Sequence, residues 1–314
     1  MQPSAVTNTS NLTASPSQFY TWHNYRCAYE VHQQINTTPD GIPLLLIHPI
    51  GVGLSRRFWQ RFCRQWYNTG ERNSIYNPDL LGCGESDMPH VAYTPSDWAE
   101  QLQYFLQTVV QKPVIVVVQG ALLPVAIALV QKESNLIAGL VLSGPPAWAL
   151  MTKKSPEWQQ KFIWNLLDSP FGSAFYRYAR TPKFLHSFST RQLFASDNAV
   201  DAEWLNTLLA GAENPASRHA VFSFLAGFWR QDYTSFIASI QQPTLAVMGE
   251  TASSISQDGK KETPDGRLAH YLACLPQGRG LKINGRNVLP YESTAEFVAA
   301  IATFINEVSE LIDN

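Results

Sequence analysis

Charge is scarce in this chain. Asp, Glu, Lys and Arg make up 15% of its 314 residues, against roughly 25% in an ordinary soluble domain. Lys and Arg number 23, Asp and Glu 25, for a net charge of −2. No basic field is available to hold phosphate backbones, which excludes a general nucleic-acid binder. Cysteine is scarcer still, at Cys27, Cys63, Cys83 and Cys274, with no two spaced as CxxC. This spacing excludes a thiolate metal motif and argues against a disulfide framework, so a reduced, cytoplasmic compartment is expected. No apolar run of about 18 residues is present, so no membrane span is expected. Neither a metal nor a cofactor is expected.

The first 17 residues, MQPSAVTNTSNLTASPS, have no basic start and no apolar block, so they do not read as a secretory signal. Their Ser, Thr, Asn and Pro content predicts a disordered tail. The glycosylation sequons at Asn8 and Asn11 are expected to be coincidental.

What is present is an alternation of apolar strands and amphipathic helices. RCAYEVHQQ (Arg26–Gln34) alternates like a half-buried strand, NTTPDG (Asn36–Gly41) is a turn, and PLLLIH (Pro43–His48) is a continuous apolar strand. Phe58, Phe62 and Trp66 share a face of a helix over Leu54–Tyr67. SIYNPD (Ser74–Asp79) predicts a strand, and Thr94–Val109 a helix that opens with cap chemistry. VIVVV (Val114–Val118) and LIAGLVLSGPP (Leu136–Pro146) read as buried strands around the helix ALLPVAIALVQK. From Ala149 to Ile240 the pattern is helical without a convincing strand. Alternation then resumes with PTLAVMG (Pro243–Gly249), a helix near Asp265–Leu275, GLKING (Gly280–Gly285) and a last helix from Thr294. Near-continuous apolar strands between helices indicate an α/β fold with a mostly parallel sheet. The expected division is a core of 18–148 and 241–314, interrupted by a helical cap of 149–240.

The order LLLIHPIG, NPDLLGCGESD, strand–elbow–helix, LVLSGPP, helical insert and PTLAVMGE resembles a capped α/β-hydrolase. The resemblance covers about Tyr20 to Ile312. Within that superfamily, DLLGCGESD with the W–QL helix behind it is most similar to chlorophyll dephytylases and related hydrolases of photosynthetic organisms. The resemblance implies a serine nucleophile in a G-x-S-x-G turn, an acid after the PTLAVMG strand, a histidine before the last helix, and backbone N–H donors for an oxyanion.

The matching positions lack those groups. The turn reads Val118-Gln119-Gly120-Ala121-Leu122, placing Gly120, or Leu122 in a shifted register, where the nucleophile belongs. Ala252 takes the acid's position, with Glu250 two residues away as a candidate substitute. Asn287 takes the histidine's, and His270 falls on a helix ahead of the last strand. A triad without its members has nothing to activate a nucleophile or protonate a leaving group. Glycine at the elbow is expected to relieve backbone strain there. The resemblance leaves Ile50 and Ala121 as N–H donors, since Pro49 has none. His48, Ile50, Gln119, Ala121 and Trp148 are the expected ligand contacts.

Between Ala149 and Ile240 there are 17 aromatics, which points to an apolar pocket for an isoprenoid, pigment or lipid-like molecule. Arg57, Arg61 and Arg64 form one helical stripe. That stripe is expected to be a solvated face, or one that meets an anionic membrane or acidic protein. Gly82, Gly84 and Ser86 are expected to shape a turn. The expected function is a catalytically inactive binding or scaffolding protein for a hydrophobic small molecule or protein partner. The rivals are an ester hydrolase with relocated residues (Glu250 with Ser143 or Ser86, or His48 as base) and a cofactor-free oxygenase or lyase.

Overall fold

The computed structural model describes residues 16–34 and 38–313. The expected tail therefore lies outside the described residues up to position 15, as do both sequons and the first two residues of the Asn36–Gly41 turn.

Eight strands form one sheet in the order β1-β2-β4-β3-β5-β6-β7-β8. They are β1 (Gln18–Trp22), β2 (Tyr25–His32), β3 (Leu44–Ile47), β4 (Ile75–Pro78), β5 (Val114–Gln119), β6 (Ile137–Ser143), β7 (Thr244–Gly249) and β8 (Gly278–Ile283). β1 and β2 form a hairpin, and β2 runs antiparallel to β4. Every later pairing is parallel, as helical crossovers require. Strand β1 has no counterpart in the sequence reading. It exists because His23 and Asn24 both adopt positive φ and close a two-residue hairpin of the type that matches strand twist.

All six residues of β5 are buried, and their alternation divides the core. Val114, Val116 and Val118 face one apolar cluster, Ile115 and Val117 the other. Helices α1 (Gln60–Asn68), α2 (Pro95–Phe105) and α3 (Leu123–Lys132) cross between the early strands, and α11 (Pro264–Cys274), α12 (Leu289–Glu292) and α13 (Thr294–Asp313) complete the later ones. Thr94 caps α2 in a full capping box with Asp97. Between β6 and β7 lie only helices among the described residues: α4 (Trp148–Met151), α5 (Glu157–Leu167), α6 (Pro170–Ala179), α7 (Pro182–Phe188), α8 (Ala202–Gly211), α9 (Arg218–Ala226) and α10 (Thr234–Ala238).

A buried charge cluster joins the loop after β3 to the loop after β4. Arg56 is 1% exposed. Its guanidinium contacts Glu30 at 3.0 Å, Asp79, and Glu85 at 3.0 Å, and donates to Ser17 at 2.7 Å. Asp79 also accepts the backbone N–H groups of Arg56 and Glu85 at 2.8 Å. A Cβ at Gly84 would fall within 2.1 Å of the Asp79 carboxylate, at a φ of +56°. Glycine there lets the loop close over the charge. Ser86 completes the turn, donating to the Asp79 carbonyl and accepting from Ala28, both at 2.9 Å.

Removing one member of a buried ion pair leaves an uncompensated charge. Arg56→Ala is expected to lower the unfolding free energy by about 3–5 kcal/mol in equilibrium urea denaturation. Arg64→Ala, whose side chain is half exposed, is expected to cost about 0–1 kcal/mol.

Candidate functional site

Strand β5 ends at Gln119 and the chain turns through Gly120, whose φ is +61°. A single 3₁₀ turn, Gly120–Leu122, then feeds α3. Positive φ is nearly free for glycine and strained for serine. A Cβ at Gly120 would find nothing closer than the Gly144 carbonyl at 4.0 Å, so the position has room for a side chain and does without one. Leu122, the other register, is buried in the core.

Hydrogen bonds draw the three triad positions into one neighbourhood. The Gln119 amide donates to the Asn287 carbonyl at 2.6 Å and accepts from the Ser143 hydroxyl at 2.7 Å. The Asn287 carboxamide donates to the carbonyls of Gln192 at 2.7 Å and Ser253 at 3.0 Å, and accepts from the Ser253 N–H at 3.3 Å. It ties the loop after β8 to the loop after β7 and to the helical segment. Ala252, next to Ser253, presents a buried methyl group. Glu250 is exposed.

Three of the expected ligand contacts are engaged elsewhere. His48 is fully buried. The Leu80 N–H donates to its Nε2 at 3.1 Å, so Nδ1 carries the proton and donates to the Pro49 carbonyl at 2.8 Å. Burial lowers its pKa, against the opposing pull of Asp79. With both nitrogens taken, His48 holds the loop in place and offers no base. Gln119 is buried in the bridge just described. Trp148 lies against α11, stacked on His270 and edge-on to Tyr271, while Glu262 holds its backbone N–H. Ile50 and Ala121 remain partly accessible, and the Ile50 N–H has no acceptor among the described residues.

Among the described residues, no serine or cysteine side chain is hydrogen-bonded to a histidine ring; the Ser223 hydroxyl donates to the backbone carbonyl of His219 at 2.7 Å. Ser143 serves Gln119 and Ser86 serves the Asp79 turn. Burial raises the Cys27 thiol to about 12 and raises Cys63 and Cys83 as well, so none supplies a ready thiolate.

A second constellation escaped the sequence reading. His90 bonds the Asp168 carboxylate at 2.7 Å, and His219 Nε2 lies 4.0 Å from the same oxygen. The imidazoles stack 4.2 Å apart at 13°. His219 is buried, and neither ring nitrogen has a hydrogen-bond partner among the described residues. Burial, helped by Arg218 and His90, lowers its pKa to about 4. These side chains are a potential metal-ligand set, with ligand atoms within 4.8 Å of one another. Near-parallel rings keep one ion from lying in both ring planes, so coordination would require one ring to turn. As it stands, the trio latches α5 and α9 to the loop before α2. Its members are 78 and 51 residues apart, and no local pattern marks them.

The Arg57, Arg61 and Arg64 stripe meets acids of this same chain. Arg57 pairs with Glu85 at 3.1 Å, Arg61 with Asp201 at 2.6 Å and Glu203 at 2.7 Å, and Arg64 with Glu203. Asp201 and Glu203 stand about 140 residues from Arg61 and Arg64, at the start of α8, and Glu85 stands 28 residues from Arg57.

Two outcomes follow from this geometry. Gly120→Ser is expected to fold with a loss of about 1–2 kcal/mol from the strained φ and to hydrolyse no p-nitrophenyl ester, since Ala252 and Asn287 supply neither acid nor base. His219 is neutral in the folded chain and titrates near 6.5 once unfolded. Its stability contribution is therefore complete above about pH 6.5 and lost as pH falls toward about 4. His219→Phe is expected to flatten the decline of the unfolding midpoint over that window.

The profile of the Alpha/beta hydrolase family matches residues 44–301. None of the curated proteins compared with the chain matches it. Among solved structures, an esterase from Thermogutta terrifontis is similar at 18% identity and a TM-score of 0.71, covering 94% of this chain and 100% of its own. A serine hydrolase involved in carbazole degradation is similar at 18% identity and TM-score 0.71, covering 93% and 99%. A putative alpha/beta hydrolase from Nostoc sp. PCC 7120 shares 17% identity at TM-score 0.71, over 93% and 98%. At these identities the likeness speaks for the fold, as the strand order and the β5–α3 elbow do. The chain belongs to the α/β-hydrolase family.

Proposed function

We propose that this chain is a non-catalytic α/β-hydrolase that serves as a binding or scaffolding protein, with a hydrophobic small molecule as its ligand. One observation carries the reading. The elbow and its two partner loops hold Gly120, Ala252 and Asn287, and the Asn287 amide is committed to backbone groups of Gln192 and Ser253. No group there can attack a carbonyl, accept its proton and return it. The ligand part is supported by the partly accessible Ile50, in the loop after β3, and Ala121, next to Gly120 in the chain. A cavity of about 320 Å³ that shares no residue with the elbow is a second place for a ligand, lined by Pro124, Ile127, Phe228 and Phe236 together with the polar Thr94 and Gln131. That volume is at the small end of ligand sites.

A second reading has one observation in its favour. His219 and Asp168 are a histidine and a carboxylate at near-bonding distance, which is two-thirds of an acid–base relay without a nucleophile. It would make the chain an ester hydrolase of hydrophobic substrates with non-standard residues.

A panel of p-nitrophenyl esters and a fluorophosphonate probe separate the two. The expected result is hydrolysis at the rate of buffer and no labelled serine. Turnover that is abolished by His219→Phe or by a single serine substitution would overturn the non-catalytic reading. Mass spectrometry of solvent extracts is expected to find an apolar molecule that co-purifies in stoichiometric amount, and an empty protein would sink the ligand claim.

A further inference from the structure

Helix α6 buries Gly172, Tyr176 and Ala179 and α5 partly buries Ile163, Trp164 and Leu167, while both present another apolar face outward. On α5, Trp158, Phe162 and Leu166 follow at intervals of four. On α6, Phe171, Phe175 and Tyr178 follow at four and three. All six are exposed, from 41% at Phe175 to 79% at Phe171. The inner faces are accounted for: Tyr176 packs with Val221 and Phe222, with Trp164 and Leu167 against them. The outer stripes are therefore surplus to the fold, and they flank the short Asp168–Ser169 connection. Adjacent exposed apolar stripes of this size mark an interaction surface.

Charge identifies the occupant. From Lys153 to Arg191 the chain carries four lysines and three arginines against Glu157 and Asp168, a net of +5 in a chain whose total is −2. Lys154, Lys161, Arg177 and Lys183 are exposed. None has a carboxylate within 4.0 Å among the described residues, although Lys132, Lys153 and Lys282 do. Lys161 sits between Trp158 and Phe162, and Arg177 beside Tyr178. Lysine is depleted at protein–protein interfaces, whereas aromatics bordered by unpaired cations suit an anionic lipid surface. The Arg57, Arg61 and Arg64 stripe is a poorer candidate because its charges are met within the chain.

We infer that the outer face of α5 and α6 docks on an anionic phospholipid bilayer, with Trp158, Phe162, Phe171 and Phe175 entering the headgroup boundary and Lys154, Lys161, Arg177 and Lys183 meeting lipid phosphates. No helix among the described residues is long and apolar enough to cross the membrane, so the contact is peripheral.

Vesicle co-sedimentation of the full chain tests this, with phosphatidylcholine vesicles and with phosphatidylcholine mixed with phosphatidylglycerol. The wild type is expected to pellet with the mixed vesicles, to be released by high salt, and to stay in solution with phosphatidylcholine alone. Phe162→Ser with Phe171→Ser is expected to abolish pelleting, and Lys161→Gln with Arg177→Gln to weaken it by about tenfold or more. Both pairs lie on the solvent face, and thermal unfolding verifies that each variant is folded. Arg64→Gln is expected to bind like the wild type. Four results overturn the inference: no pelleting with mixed vesicles, equal pelleting with phosphatidylcholine alone, unchanged pelleting of the double serine variant, or self-association through these residues without vesicle binding in analytical ultracentrifugation.

Discussion

The Arg56–Asp79 ion pair is the contact on which the geometry of the loops after β3 and β4 depends. Asp79 stands directly after β4 and holds Arg56 at the entry to α1 through both its side chain and its backbone N–H. One residue on, the Leu80 N–H fixes His48, and His48 fixes the Pro49 carbonyl. A single buried charge therefore positions the loop after β3. Its carboxylates behave accordingly. Burial pushes Glu85 up, but hydrogen bonds from Ser17 and Arg56 outweigh it and hold the group down to about 2. Glu30 is likewise lowered against its own burial by His32 and Arg56. Such a cluster favours one arrangement through hydrogen-bond geometry more than through net energy, because desolvation offsets much of the attraction.

On that scaffold the elbow is built for stability. An active hydrolase tolerates a strained residue at the end of β5 because its side chain must point at substrate. Here the positive φ falls to glycine, and the surrounding polar groups satisfy one another. Gln119, Ser143 and Asn287 form a closed set of bridges across β5, β6 and the loops after β7 and β8. Buried polar groups paired in this way rigidify a site. The same pairing leaves little for a ligand to bond beyond the backbone near Ile50.

The distribution of charge outside the core has a similar logic. Where the helical segment meets the first crossover helix, arginines of α1 face Asp201 and Glu203, which contribute little individually but agree in orientation. On the opposite, outward side of α5 and α6 the cations have no carboxylate partners among the described residues and stand among exposed aromatics. One set of charges joins two parts of the chain, and the other faces away from it.

Strand–helix alternation, the buried β5 and the cap at Thr94 were all legible in the sequence, because each is a local pattern of period, spacing or residue type. Gly120 is the clearest case, since its chemistry and its conformation are both properties of one residue. Strand β1 and helix α12 were not legible: the first is a short edge strand secured by its hairpin partner, the second a single turn. The partners of Arg61, the engagement of His48 by Leu80, the His90–Asp168–His219 stack and the outward face of α5 depend on which segments meet. Chain periodicity says that a helix has an apolar face. Only packing decides whether that face is covered, and in α5 and α6 a second one is left in the open.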